Sequence, residues 1–134
     1  MKEVRELLSV VPCYGSLATL DCGKPRVRPF AFMFEENGRF YFCTGSEKEV
    51  YRQLIECPFI EFTRTSEDMR WLRISGEIKF EENLRYKEKC FELYPMLNGI
   101  YQTPDNPVFT VFYLEHGHAS IDSMTADPRK TFDF

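Results

Sequence analysis

The tetrapeptide Glu35-Glu36-Asn37-Gly38 stands between two aromatic-rich runs, Pro25 to Phe34 and Arg39 to Thr44. Asn-Gly is the strongest short hairpin signal, because both residues tolerate the positive φ that a two-residue turn demands. The two runs are therefore expected to pair as antiparallel neighbours. One step earlier, Asp21-Cys22-Gly23-Lys24 makes a tight turn between a strand over Tyr14 to Leu20 and the long run that Pro25 opens at an edge. Phe59 to Arg64, Arg70 to Glu81, Val108 to Glu115 and Ala119 to Met124 also have strand character, the last two flanking His116-Gly117-His118. Arg70 to Glu81 alternates cleanly: Leu72, Ile74, Ile78 and Phe80 on one face, Trp71, Arg73, Ser75, Glu77 and Lys79 on the other. Seven short strands, mostly linked by hairpins, leave fewest exposed edges when they close on themselves, so the expected class is mainly β, an antiparallel barrel with short helices at its crossovers.

Three helices are expected. Val4, Leu7, Leu8 and Val11 recur at helical spacing until Pro12 stops them. A second helix has the apolar face Val50, Tyr51, Leu54 and Ile55 and ends before Cys57-Pro58; a third is capped by Asn83 and runs to Tyr94, with Pro95 behind it. Met96 to Asn106 reads as an irregular surface connection, and the tail over 125–134 has no obvious structure and is open to being mobile.

At 134 residues, with 43% apolar content, thirteen Phe and seven Tyr, the chain suits one domain over 1–134 with a full core. A net charge of -4 argues against nucleic acid as a partner, since phosphate neutralisation needs clustered Lys and Arg. The opening MKEVRELL carries charges throughout, unlike a signal peptide, and no stretch approaches a membrane span, so a cytoplasmic protein with no membrane partner is expected. Five cysteines form no Cys-x-x-Cys pair and read as reduced thiols, with Cys43 and Cys90 in apolar patterns and Cys22 exposed in its turn. His116 and His118 lack a third ligand at suitable spacing, so no metal site is assigned.

The stretch Thr44 to Leu54 turns an aromatic strand into a helix. Ser46 and Glu49 have capping-box spacing, which places Lys48 inside the first turn. A cation there opposes the positive end of the helix dipole. Two explanations stand: a solvated lysine screened by Glu47 and Glu49, or a ligand for a phosphate seated at the helix start. On the long strand, Arg26 and Arg28 share a face with Phe30, Phe32 and Phe34 by period-two alternation, which sets phosphate-matched donors beside an aromatic wall. The plainer alternative is two solvated arginines at a barrel rim with phenylalanines in the core. Trp71 and Arg73, on the polar face of their strand, have the composition of a subunit contact. Two barrels paired through such faces would carry these side chains to each other's anion sites. There is no G-x-S-x-G serine, no glycine-rich phosphate loop and no histidine paired with an acid in a known motif, so catalytic residues are unassigned.

In order along the chain, Leu17-Ala18-Thr19-Leu20, Gly23-Lys24-Pro25-Arg26-Val27-Arg28-Pro29-Phe30, Tyr41-Phe42-Cys43-Thr44-Gly45-Ser46-Glu47-Lys48, Gln53-Leu54, Cys57-Pro58 and Trp71-Leu72-Arg73-Ile74-Ser75-Gly76 resemble the pyridoxamine 5'-phosphate oxidase-like family of FMN-binding split barrels. The resemblance implies a homodimer of antiparallel barrels with FMN at the interface. Arg28 matches the strand residue that meets the flavin phosphate or ribityl chain, and the backbone of Pro29, Phe30, Ala31 and Phe32 matches the wall along the isoalloxazine ring. Thr44, Ser46 and Lys48 match residues around the phosphate, Gln53 a cofactor-contacting helix residue, and Trp71 and Arg73 the strand contributed by the second subunit. With a phosphate at the helix start, the dipole cost of Lys48 is offset.

The same resemblance implies redox chemistry carried by the cofactor, with a small-molecule electron donor and acceptor as partners. Enzymes that oxidise pyridoxamine phosphate carry a C-terminal Arg-x-His segment; the tail here reads Asp127-Pro128-Arg129-Lys130-Thr131-Phe132-Asp133-Phe134, so that activity is not expected. The expected function is a flavin-dependent reductase or related oxidoreductase, the alternative a non-catalytic flavin or nucleotide binder used for sensing or storage. A deazaflavin or haem is the less favoured cofactor; haem would need His116 or His118 as axial ligand.

Overall fold

Both hairpin turns form as two-residue loops with consecutive left-handed residues: Cys22 (φ 50°) with Gly23 (φ 78°), and Asn37 (φ 53°) with Gly38 (φ 78°). Backbone of that kind matches the right-handed twist of the flanking strands. In this computed structural model, which describes residues 1–125 and 127–134, the turns join β1 (Cys13–Asp21) to β2 (Lys24–Glu36) and β2 to β3 (Arg39–Gly45). Four further strands were expected and form as β4 (Phe59–Thr65), β5 (Arg70–Glu81), β6 (Phe109–Leu114) and β7 (His118–Ser123).

Every pairing is antiparallel, and β1, β2, β3, β6, β5 and β4 close in that order into a six-stranded barrel through the β4–β1 pairing. The long β5 splits the wall. Its first half, Arg70 to Ser75, pairs with β7, while Ile78 to Glu81 pairs with β6. The tail carries no strand signal in its sequence, yet β8 (Lys130–Asp133) extends the sheet beyond β7, and Phe132 and Phe134 pack on the core. This corrects the expectation of seven strands to eight.

Alternation explains why β3 and β6 read as nearly continuous apolar runs. Phe40, Phe42, Phe112 and Leu114 fill the barrel, while Tyr41, Phe109, Val111 and Tyr113 join a second core outside it. That outer core lies under α3 (Leu84–Leu93) and the short α4 (Leu97–Tyr101), which replaces part of the expected irregular connection. Asn83 caps α3 as expected, its side chain accepting from the Arg85 amide. The first helix, α1 (Lys2–Leu8), ends sooner than the spacing suggested, leaving Val11 exposed.

Two further expectations fail for local reasons. A bulge shifts the β2–β3 register between Phe32 and Phe34, so Phe34 leaves the face of Arg28, Phe30 and Phe32 and stacks on Tyr41 in the outer core. The capping box does not form either: α2 (Glu49–Glu56) has Lys48 as its N-cap, with no side-chain cap bond, because Glu49 is drawn to Arg52 at 2.7 Å.

Where β1 crosses β4, a methyl group on Gly15 would overlap the Thr63 carbonyl oxygen and the Phe62 ring. Gly15→Ala is expected to destabilise the protein by about 1–3 kcal/mol through overpacking, read as a lower urea midpoint. An unchanged midpoint would mean that the two strands do not approach so closely. Among the described residues no helix is long and apolar enough to cross a membrane.

Candidate functional site

The β3–α2 junction brings the expected anion ligands together. Thr44 is the penultimate residue of β3, the Lys48 amide donates to the Gly45 carbonyl at 3.0 Å, and Lys48 adopts an extended conformation that starts α2. The first amides of a helix have no acceptor within it, and no side chain caps them here. Thr44 is only 4% exposed, and its hydroxyl finds no partner. Of the two carboxylates expected to screen Lys48, Glu47 and Glu49, the second is drawn to Arg52, which gathers Glu49, Asp21 and Glu56 around itself. No carboxylate among the described residues lies within ion-pairing distance of Lys48.

Thr44 and Lys48 line a cleft of about 190 Å³ whose β-sheet wall is Pro29, Phe30 and Ala31. Five of the expected site residues therefore meet in one place. Its opposite wall comes from Tyr94, Leu97 and Tyr101, with Met96 and Ile100 at the rim. Met96, Leu97, Ile100 and Tyr101 fall in the stretch Met96 to Asn106 that reads as an irregular connection, while Tyr94 ends the expected third helix; the Leu97–Tyr101 spacing of i, i+4 is the available signal for α4.

Arg28 and Gln53 also meet, but beside the cleft rather than along it. Arg28 lies on the inward face of β2, where Nη1 donates to the Thr19 hydroxyl at 2.8 Å and to the Leu17 carbonyl at 3.2 Å, and Nη2 donates to Gln53 Oε1 at 2.7 Å. The Thr19 hydroxyl donates to the same Gln53 oxygen at 2.6 Å. Thr19 and Gln53 are both buried, so the three residues tie β1 and β2 to the helix that Lys48 begins. Burial pulls the Arg28 guanidinium below its ordinary pKa, and among the described residues no carboxylate neutralises it. Arginine stays protonated through such a shift, so Arg28 adds positive charge behind the junction and retains unused donors among its five.

The remaining expected residues lie elsewhere in the chain. Phe32 is buried in the barrel core, and Ser46 lines a separate hollow with Tyr51 and Phe80. Trp71 and Arg73 line none of this cleft; Arg73 pairs with Asp122 at 3.3 Å, and the buried Trp71 Nε1 has no partner. Both histidines are exposed and away from the cleft, with His118 Nδ1 held 2.7 Å from Asp133, so neither lines the cleft as the axial histidine expected for haem.

The sequence profile of the family described as pyridoxamine 5'-phosphate oxidase matches residues 1–119. Over the whole chain, the fold is similar to that of a NimC/NimA family protein from Clostridium acetobutylicum, with 30% identity, a TM-score of 0.87 and coverage of 100% of this chain and 92% of that one. Two more distant structures share the fold alone. One is a pyridoxamine 5'-phosphate oxidase-related, FMN binding protein from Nostoc punctiforme, at 16% identity and TM-score 0.62 over 88% of this chain and 78% of that one. The other is a heme binding protein from Mycobacterium smegmatis, at 15% identity and TM-score 0.76 over 96% of this chain and 56% of that one. No curated protein matches the sequence. With the profile spanning most of its length and the barrel closed as described, the chain belongs to the pyridoxamine 5'-phosphate oxidase family.

Proposed function

We propose that this chain is a cytoplasmic, homodimeric FMN-binding oxidoreductase that passes electrons between a reduced nicotinamide or similar donor and a small-molecule acceptor. The observation that carries this reading is the β3–α2 junction, where a lysine with no ion pair among the described residues, an orphaned buried hydroxyl and helix amides without a side-chain cap converge beside the Pro29 to Ala31 stretch of β2. Those donors suit a phosphate. The Pro29 to Ala31 wall suits a flat ring system. Bound FMN would supply the two-electron chemistry, while the chain binds, orients and shields it.

Within that division of labour, Lys48 and Thr44 hold the phosphate, and Arg28 acts through Gln53 by fixing α2 and by adding charge. No acidic or imidazole side chain lines the cleft, so none is assigned as general acid or base. Homodimerisation is supported by size and surface. A volume of about 190 Å³ falls below the roughly 300–1,000 Å³ of pockets that enclose ligands of this size, so a second wall is needed. Tyr14 and Val27, 55% and 71% exposed, lie on the outer face of the β1–β2 hairpin beside the cleft and offer apolar surface for a partner. In such a pair Trp71 and Arg73 are the candidates to reach the neighbouring site.

The purified protein should show flavin absorbance, or acquire it when FMN is added. No flavin spectrum under either condition would overturn the proposal. Anaerobic addition of NADH or NADPH should then bleach the bound flavin; stable colour with both would favour a binder without turnover.

A further inference from the structure

Behind the cleft, the outer core holds a chain of three sulfurs that the flavin reading does not use. Cys90 of α3 is fully buried there, and Cys43 of β3 packs against the same cluster from the cleft side. The Cys90 thiol donates a hydrogen bond to Cys43 Sγ, and the Cys43 thiol donates in turn to Met33 Sδ at 3.6 Å. A disulfide requires two side chains whose Cβ vectors face one another. Thiols that already hydrogen-bond to each other meet that requirement.

The two thiols differ in reach. Cys43 is half-buried and lines the cleft, whereas Cys90 lies behind it, sealed by the outer core. The hydrogen bond to Cys43 and burial push the Cys90 thiol up, so it keeps its proton at neutral pH. The first attack on an oxidant therefore falls to Cys43, the member that a small molecule reaches from the cleft. An accessible cysteine with a second thiol in contact is the arrangement of a redox-sensing pair, the second thiol resolving what the first begins.

We propose that Cys43 and Cys90 form an oxidisable dithiol, closed to a disulfide by a small hydroperoxide that enters through the cleft. In the first step the Cys43 sulfur attacks the peroxide: an S–O bond forms, the O–O bond breaks, and the leaving oxygen departs with the thiol proton as water or an alcohol. In the second step the Cys90 sulfur attacks the Cys43 sulfur, so that an S–S bond forms, the S–O bond breaks, and the hydroxyl leaves with the Cys90 proton as water. Two thiols lose two electrons in all, and one peroxide gains them. No flavin is needed. Cys43 and Cys90 belong to opposite sides of the cleft, β3 on one and the helix that Tyr94 caps on the other, so the bond clamps one wall to the other.

The pair is tested by brief treatment of the full-length protein with hydrogen peroxide, followed by alkylation and peptide mapping. A peptide pair joined through Cys43 and Cys90 should be the main product, and dithiothreitol should reverse it. Cys22, exposed in its hairpin turn, is the internal control and should be oxidised severalfold more slowly. In Cys90→Ala the reaction should halt at the sulfenic acid of Cys43, which dimedone traps. Three results would each overturn the proposal: Cys43 and Cys90 still free when Cys22 is oxidised, a disulfide joining Cys43 to another cysteine, or no dimedone adduct at Cys43 in Cys90→Ala. Should Cys90→Ala fail to fold, Cys43→Ser is the second variant: Cys90 should then stay reduced, and its oxidation there would contradict the assignment of Cys43 as the thiol that meets the peroxide.

Discussion

Replacing Phe42 with alanine is expected to cost about 3–5 kcal/mol of stability, the range for removing a buried aromatic that its neighbours cannot replace. Phe42 is fully buried at the centre of β3, with the rings of Phe62, Phe32, Phe112 and Phe30 at centroid separations of 5.3, 5.5, 5.5 and 6.3 Å. These partners come from three other barrel strands, β2, β4 and β6, so one ring joins most of the wall. Each is held by its own strand pairing and cannot move far to fill the space. Urea unfolding should show a lower midpoint with little change in slope. A loss below about 1 kcal/mol would mean that the barrel interior collapses around the deletion and is far more plastic than close packing allows.

Reversing the charge at Lys48 is the second large effect. Lys48→Glu removes a charge-assisted bond and puts a carboxylate beside the phosphate, for a combined loss of about 2–3 kcal/mol in FMN affinity, or roughly 30- to 150-fold in Kd. Stability should hardly change. Lys48 is exposed and makes no ion pair among the described residues, and a glutamate at the start of α2 is favoured by the helix dipole. That separation makes the variant informative. A folded Lys48→Glu protein with native FMN affinity would show that the phosphate sits elsewhere.

The sequence told more about the strands than about their ends. Asn37-Gly38 and Cys22-Gly23 encode their own turns, and alternation in Arg70–Glu81 separates its two faces, so the barrel was readable from local chemistry. The bulge in β2 was not, because one extra residue inverts the facing of Phe34 without altering the composition of the run. β8 escaped because four residues, Lys130–Asp133, are too few for a periodic signal; their pairing with β7 and the packing of Phe132 fix them. Ser46 and Glu49 satisfied a capping pattern, yet Arg52 competes for the glutamate and the helix starts two residues later.

The site divides in the same way. Pro29, Phe30, Ala31, Thr44 and Lys48 converge because two adjacent antiparallel strands and one turn carry them, a proximity implied by the hairpin alone. The wall from Tyr94 to Tyr101 depends on α3 and α4 folding back over the outer core, a long-range placement that no local pattern encodes. Arg28 faces inward on β2 and binds Gln53 and Thr19, partners that the composition of the strand alone does not reveal.

The central claim is that the β3–α2 junction binds the phosphate of FMN. Titrating the flavin-free protein with FMN and with riboflavin, which lacks only that phosphate, tests it most directly. FMN should bind at least about tenfold tighter than riboflavin, equivalent to about 1.4 kcal/mol or more, and Lys48→Glu should close the gap. Equal affinities for the two flavins in the unaltered protein would contradict the account.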